Sequence, residues 1–310
     1  ELWMLIGARV LAGILSSATL PTAMAYIGDS TSEKDRGGGM GIIGAAMGVG
    51  MVLGPGIAGW LASYSLSAPF FLAAGLSLLA LVFILLVLPE SLPAEKRAQT
   101  MGGINGPQLK ELWRALFTPV GFLLVLAFLV SFGLTNFESV FGLYAYASYG
   151  YGPQQVGGLL TFIGLVSAIV QGGLTGPFTR RWGEVRVIKI SLLGSAVGFA
   201  LMVLADSFVW VLLTTGFFVT SNAMLRPSVS SLISRRATMG QGVAMGLNNA
   251  FMSLGRSVGP LWAGFIYDIN LSYPYWSGSI IMLASFVISI IKLRDEKTIP
   301  IEGSQSQVID

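Results

Sequence analysis

Glu138 is the one acidic residue set in the middle of a long apolar run; the remaining acids lie in polar connections, at the ends of such runs, or at the chain termini. If that run crosses a bilayer, the charge costs about 2.5–3.5 kcal/mol at mid-depth, so it is rarely kept without a use. A carboxyl group so placed can hold a proton, release it, and then attract a cation. The bland alternative is a structural glutamate hydrogen-bonded between helices. Phe137 and Phe141 flank Glu138, and Tyr144 follows a turn beyond. An acid among aromatic rings suits an amphipathic cation, because ring faces attract positive charge. Arg9, Arg226 and Arg256 also interrupt apolar runs. Intramembrane arginines face a bundle interior or a water-filled cavity and pair with acids or carbonyls. Arg226 is thus a candidate either to neutralise Glu138 or to bind an anionic group, while Arg256 reads first as a donor that locks helices together. Gln171, Asn222, Asn248 and Asn249 are the polar groups within these runs; they either orient a bound molecule or bridge helices.

Other chemistry is excluded by composition. The chain has no cysteine and no histidine. That removes disulfides, thiolate nucleophiles, cysteine metal sites and every Ser–His or Cys–His pair, so neither a metal centre nor an enzyme is expected. A formal charge of +3 over 310 residues is too small to suggest nucleic acid.

The elements that position these residues are membrane helices. Hydrophobic residues make up 54% of the chain and charged residues 11%, mean hydropathy is +0.74, and there are 40 glycines. Small residues in such number suit helices packed closely in lipid. With about 20 apolar residues per span, nine segments qualify: roughly 2–28, 38–63, 68–88, 119–147, 154–178, 187–205, 208–233, 240–266 and 274–292. The polar stretch from Pro89 to Trp113 reads as a linker with a short surface helix near its end. The basic residues check this count. Apart from Arg9, Arg226 and Arg256, every Lys and Arg falls in alternate connections: Lys34 and Arg36, the linker, Arg180 to Lys189, Arg235 and Arg236, and the tail from Lys292. The positive-inside rule makes that side cytoplasmic, with the C-terminus on it. Aromatic residues such as Trp60, Tyr64, Trp210, Tyr275 and Trp276 gather on the other side, as an interfacial belt would.

A repeat gives the organisation. Gly41, Gly50, Gly54, Pro55 and Gly59 recur at an offset of 205 as Gly246, Gly255, Gly259, Pro260 and Gly264, and Pro69 recurs as Pro274. Both copies enter from the same side, which implies two parallel halves. The second half holds six helices and the first only three. Three helices, roughly 85 residues by the offset, are therefore expected to be missing from the front. The opening Glu1-Leu2-Trp3, inside an apolar run and without a methionine or basic leader, fits that expectation. Glycines four apart make a flat packing face, and the proline kinks the helix, so these segments are candidates for a pivot as well as for packing.

These residues resemble the major facilitator superfamily, specifically its twelve-helix bacterial drug/proton antiporters. The Gly41 to Gly59 pattern is similar to that group's antiporter motif, departing only at Ala58. The run Arg9-Val10-Leu11-Ala12-Gly13 matches the fourth-helix motif, Pro89-Glu90-Ser91 ends a sixth helix, Ser131 to Glu138 resembles the seventh helix of Gram-positive exporters, and Leu225-Arg226-Pro227 the tenth. Two departures stand out. Arg180 occupies the acid position of the loop motif running from Gly176 to Gly183, and Ala223 stands where several relatives place an aspartate before the tenth-helix arginine. A two-acid proton mechanism is therefore not expected.

The resemblance implies an all-α, two-bundle membrane protein with nine of twelve helices present. Residues 1–90 would form a partial N-terminal bundle (helices four to six), 91–117 a cytoplasmic linker, 118–295 a six-helix C-terminal bundle and 296–310 a cytoplasmic tail. It implies proton-coupled efflux of amphipathic, cationic compounds across the cell membrane by a monomer, with protons as coupling ion and no cofactor. Export of one metabolite, such as a siderophore, lipid or sugar, is the alternative. Proton coupling would fall to Glu138, Arg9 and Arg226. Cargo would meet Phe137, Glu138, Phe141, Tyr144, Gln171, Asn222, Asn248 and Asn249.

Overall fold

The structure is a computed structural model that describes residues 2–32, 35–90, 113–237 and 240–293. Most of the proposed linker and its basic residues Lys96, Arg97 and Lys110, together with Lys34 and the tail with Arg294 and Lys297, lie outside the described residues. Among the described residues every regular element is helical: α1 Leu2–Ser16, α2 Thr19–Ser30, α3 Arg36–Ala62, α4 Ala68–Val87, α5 Gly121–Tyr149, α6 Pro153–Ile169, α7 Thr175–Trp182, α8 Glu184–Val203, α9 Phe208–Arg236, α10 Gln241–Tyr267 and α11 Tyr273–Lys292. The first expected span is thus two helices. Ser16 and Ser17 turn their hydroxyls onto the carbonyls of Ala12 and Ile14, and Pro21 cannot donate to a preceding turn, so the ladder breaks between them. A π-helical turn, Val170–Leu174, joins α6 to α7.

Among the described residues, eight stretches are long and apolar enough to cross a membrane: Leu2–Ser30, Gly38–Ala62, Ala68–Val87, Gly121–Tyr149, Pro153–Trp182, Glu184–Val203, Phe208–Arg236 and Tyr273–Lys292. The ninth expected span, 240–266, is present as α10, a 27-residue helix. Gln241, Asn248, Asn249 and Arg256 hold its apolarity below that of the others. The repeat identifies it nonetheless: the offset of 205 carries α3 onto α10 and α4 onto α11 to the residue. Pro69 and Pro274 start the later pair, where a missing N–H costs nothing.

The chain divides into two units, Glu1–Gln108 with Tyr151–Leu165, and Leu109–Gly150 with Val166–Asp310. This differs from a division at the linker, because the first part of α6 groups with α3. Small residues explain that: a Cβ on Gly59 would stand 2.8 Å from the Cα of Gly157, and one on Gly164 would stand 3.1 Å from that of Val52. Backbones so close are typical of helices packed in lipid. In the first unit α1, α2 and α4 bury no residue, and apart from Ile27, which packs toward Gly39, their leucines, isoleucines and phenylalanines face outward.

The second unit has a proper core. Here α5 packs on α9, α10 and α11, and α8 packs on α9 and α11. Phe137, Phe199, Phe218 and Tyr275 are at most 1% exposed, and their rings form one cluster with Phe199 and Phe218 centred 4.4 Å apart. Tyr275 therefore does not belong to an interfacial belt; it sits inside. Two glycines with positive φ set boundaries: Gly150 (67°) closes α5 in the left-handed region, and Gly183 (78°) lets the chain reverse into α8.

Candidate functional site

Glu138 sits well inside α5 and is exposed on the surface of the second unit. It has no hydrogen-bond or ion-pair partner among the described residues. Among those residues it is also the one acid deep in a span; Asp29, Asp35, Glu90, Glu184, Asp206 and Asp268 stand at helix ends or between helices. The structural reading, in which Glu138 is tied between helices, has no such bond to support it.

The aromatic residues expected around Glu138 are elsewhere. Phe137 is 0% exposed, Phe141 3% and Tyr144 6%; Phe137 packs on Phe141 and Phe218, and Tyr144 on Tyr275 with ring centres 4.5 Å apart. The reason is helical geometry. A step of about 100° per residue turns all three toward the core and away from the face that bears Glu138. They shape the bundle and do not line a surface with the acid.

Arg226 lies in α9 immediately before Pro227, and Arg256 in α10; both are exposed. They are close enough to repel one another. Arg226 makes no ion pair with Glu138, and Arg256 donates to the Ser253 hydroxyl at 3.0 Å. Arg226, Ser131 and Asn248 border a shallow hollow, about 160 Å³ including its mouth, whose exposed surface is apolar. It encloses no room for a ligand, so it is a seam between helices and not a binding pocket. Pro227, with no N–H to give, leaves the Ala223 carbonyl without its helical donor one turn below.

The remaining polar candidates divide. Asn222 is 3% exposed and its Nδ2 has no acceptor. Asn248 is 1% exposed; its Nδ2 donates to the Ser230 hydroxyl at 3.0 Å and its Oδ1 is unpartnered. Asn249 is exposed on the other side of α10. Gln171 is exposed within the π-helical turn, where Thr175 donates back to the Val170 carbonyl at 2.9 Å. Arg9 is exposed on α1 and has no partner among the described residues.

Sequence reasoning missed several contacts. Glu184 takes Arg235 through both its oxygens, at 2.9 and 3.0 Å, and the Ser231 hydroxyl at 3.2 Å. This pair ties α8 to α9 at their basic ends, close in sequence to Arg180, where the expected acid is absent. Asn136, fully buried, donates to the Pro274 carbonyl at 2.9 Å and fixes α5 to α11. Neither was visible beforehand, since their partners lie 51 and 138 residues away. Ser131 was quoted only as part of a motif.

Repeated apolar helices, with one acid and three arginines that have no ion-pair partner deep within them among the described residues, define a polytopic membrane transporter. The family model described as Major Facilitator Superfamily matches residues 1–240 and 123–307, and the chain belongs to that family. It is 30% identical over 285 residues to Multidrug resistance protein 2 of Bacillus subtilis, covering 91% of this chain and 71% of the relative. It is 33% identical over 288 residues to Multidrug resistance protein 1 of the same organism, covering 93% and 72%. With Quinolone resistance protein NorA of Staphylococcus aureus it shares 31% over 288 residues, covering 92% and 72%. Among solved structures it is similar to the human organic anion transporter MFSD10 (TETRAN): TM-score 0.60, 25% identity, 92% of this chain and 70% of that one. A multi-pass membrane protein with a small-molecule substrate follows.

Proposed function

We propose that this chain exports amphipathic small molecules, cations among them, in exchange for protons. Relatives at 30–33% identity are named for multidrug and quinolone resistance, which supports efflux of hydrophobic compounds. The observation that carries the coupling is Glu138: a carboxyl group at mid-span depth, exposed on one face of the second unit and without an internal partner among the described residues. Such a group takes a proton from one side and yields it to the other, and between these states its charge attracts a cationic cargo. Inward proton movement supplies about 2.3 kcal/mol per 100 mV for each charge, enough to drive export against a gradient. No second intramembrane acid stands among the described residues, so one carboxyl group serves both proton and cargo.

Arg9 and Arg226 adjust that exchange as fixed positive charges. Gln171 and Asn249 meet cargo along the exposed helix faces. Protons are the coupling ion, no cofactor takes part, and the protein acts as a monomer in the cell membrane with the basic connections and the C-terminus in the cytoplasm. The test is the full chain expressed in an efflux-deficient bacterium and in vesicles, with Glu138→Gln beside it. Wild type should raise tolerance to several unrelated lipophilic cations and extrude a fluorescent one when a proton gradient is imposed, and Glu138→Gln should lose both by tenfold or more. Wild-type extrusion by Glu138→Gln would sink the coupling role. Tolerance to a single compound would favour a dedicated exporter.

A further inference from the structure

The reversal between α7 and α8 carries more positive charge than its one acid can balance. Arg180 and Arg181 end α7, Gly183 turns the chain, and Arg186 and Lys189 lie in the first two turns of α8. Glu184 is the one acid between Glu138 and Asp206. Its side chain is 15% exposed, and both its oxygens are taken by Arg235. The side chains of Arg180, Arg181 and Lys189 have no partner among the described residues. The family's loop motif carries an acid where Arg180 stands, so the surplus is particular to this chain's version of the loop.

Beyond these cations the outer face of α8 is apolar. Val187, Ile188, Ser191, Leu192 and Ser195 form its buried face, and Ile190, Leu193 and Val197 are exposed on the other. At about 100° per residue the exposed three make one stripe, and Arg186 and Lys189 stand one turn before Ile190 and Leu193 on it. Arg180 leans the same way. One of its guanidinium nitrogens lies 3.6 Å from where a Cβ on Gly176 would stand, so the side chain runs back along α7 and not out from its end. Trp182 is exposed beside it, edge-on to Phe178 with ring centres 4.8 Å apart, as aromatic rings sit at head-group level. Basic groups at the foot of an apolar stripe match a molecule with a negative head and a hydrocarbon tail.

We propose that the α7–α8 reversal and the outer face of α8 seat an anionic phospholipid from the leaflet on the basic side. Arg180, Arg181 and Lys189 hold its phosphate, and an acyl chain lies along Ile190, Leu193 and Val197. A guanidinium grips a phosphate through two parallel hydrogen bonds, and a lysine keeps its apolar stem on the chain while its ammonium reaches the head group. A zwitterionic lipid brings its own cation beside the phosphate and gains less; a free phosphate leaves the apolar stripe unused. Other basic helix ends of this unit are already engaged, Arg235 on Glu184 and Lys292 over the Phe122 ring at 5.8 Å.

The experiment follows energy transfer from the tryptophans of the full chain to pyrene-labelled phosphatidylglycerol or phosphatidylcholine, added by mole fraction to dodecyl maltoside micelles. It uses neither cargo nor a proton gradient, so its outcome is separate from that of the efflux reading. Wild type should reach half-saturation at about a tenfold lower mole fraction of the glycerol lipid than of the choline lipid, since each basic residue near the surface is worth about fivefold toward an anionic lipid. Arg180→Asp, which restores the motif's acid, should bring the two lipids level. Arg181→Gln and Lys189→Gln should each lower the ratio by about three- to fivefold, and Lys292→Gln should leave it within about twofold.

Equal half-saturation of both lipids by wild type, or a preference kept by Arg180→Asp, overturns the proposal. So does an equal loss in Lys292→Gln, because that would mean diffuse attraction to the whole basic side. If Arg180→Asp does not accumulate, the double variant Arg181→Gln, Lys189→Gln decides: an unchanged ratio overturns it. Inorganic phosphate in millimolar excess, compared with chloride at equal ionic strength, should not displace the labelled glycerol lipid. Displacement would assign the cations to a soluble anion and overturn the lipid seat.

Discussion

The two glycine–proline helices are the same sequence pattern in two environments. In α10, Gly255 and Gly259 press on the backbone of α5: a Cβ at Gly259 would stand 2.8 Å from the Phe132 carbonyl oxygen and 3.1 Å from the Asn136 amide nitrogen. Their counterparts in α3, Gly50 and Gly54, meet no atom within 4 Å. The far end reverses this. Gly59 presses on Pro153 and Gly157 at the start of α6, whereas its counterpart Gly264 meets nothing. At about 100° per residue the first pair and the Gly56–Gly59 pair lie on nearly opposite faces of the helix. One motif therefore encodes two contact faces, and each copy here shows one of them filled. By the repeat, the open face of each copy is shaped for the kind of helix its twin already holds.

The sharpest way to break this comparison is Gly259→Leu against Gly54→Leu. The first forces side-chain atoms into the backbone of α5, which cannot rotate aside; overpacking of this kind costs about 1–3 kcal/mol or more. Folded Gly259→Leu should be scarce in membranes, or unfold early in a detergent titration. Gly54→Leu should stay within about 0.5 kcal/mol of wild type, as substitutions without close neighbours do. Comparable losses in both would mean that the open face of α3 is occupied. If Gly54→Leu inserts normally but stops extrusion, that glycine serves the pivot and not the packing; normal extrusion counts against the pivot.

Gly59→Leu against Gly264→Leu inverts the pattern with a smaller effect. The Pro153 carbonyl and the Gly157 Cα lie in the first turns of α6, which shift more easily than the middle of a helix. A loss of about 1–2 kcal/mol for Gly59→Leu, with Gly264→Leu near neutral, is the expected reading of the same titration. A larger loss at Gly264 would contradict the equivalence of the copies.

Most of the architecture was legible because membrane helices announce themselves locally, as runs of about 20 apolar residues. The exception, α10, was legible through the repeat, since its polar residues dilute its apolarity. At the site, residue type was legible and direction was not. Glu138 and the arginines stand out because charge in an apolar run is costly. The side of α5 that Phe137, Phe141 and Tyr144 take was decided by Phe199, Phe218 and Tyr275 on three other helices, which no local pattern reveals. The break after Ser16 and the π-helical turn at Val170–Leu174 were missed for a related reason. Small polar side chains that bond back to their own backbone leave hydropathy almost unchanged.

The finest test uses a position on the second face where the copies differ, Gly56 against Leu261. Leu261 is 74% exposed, so Leu261→Ala removes no contact and should change stability by less than about 0.5 kcal/mol. A methyl group at Gly56 instead falls on the side chain of Thr161, whose hydroxyl is buried without a partner. Because a helical threonine can swing its hydroxyl onto the carbonyl one turn back, Gly56→Ala should cost under about 1 kcal/mol, well below the backbone collisions above. The double variant Gly56→Ala, Thr161→Ala should recover most of that loss, giving a coupling of about 0.5–1 kcal/mol in a double-mutant cycle. Additive effects would show that α3 and α6 do not meet at this level. The contact on the second face would then narrow to Gly59, Gly157 and Gly164, and the grouping of the start of α6 with α3 would rest on glycine alone.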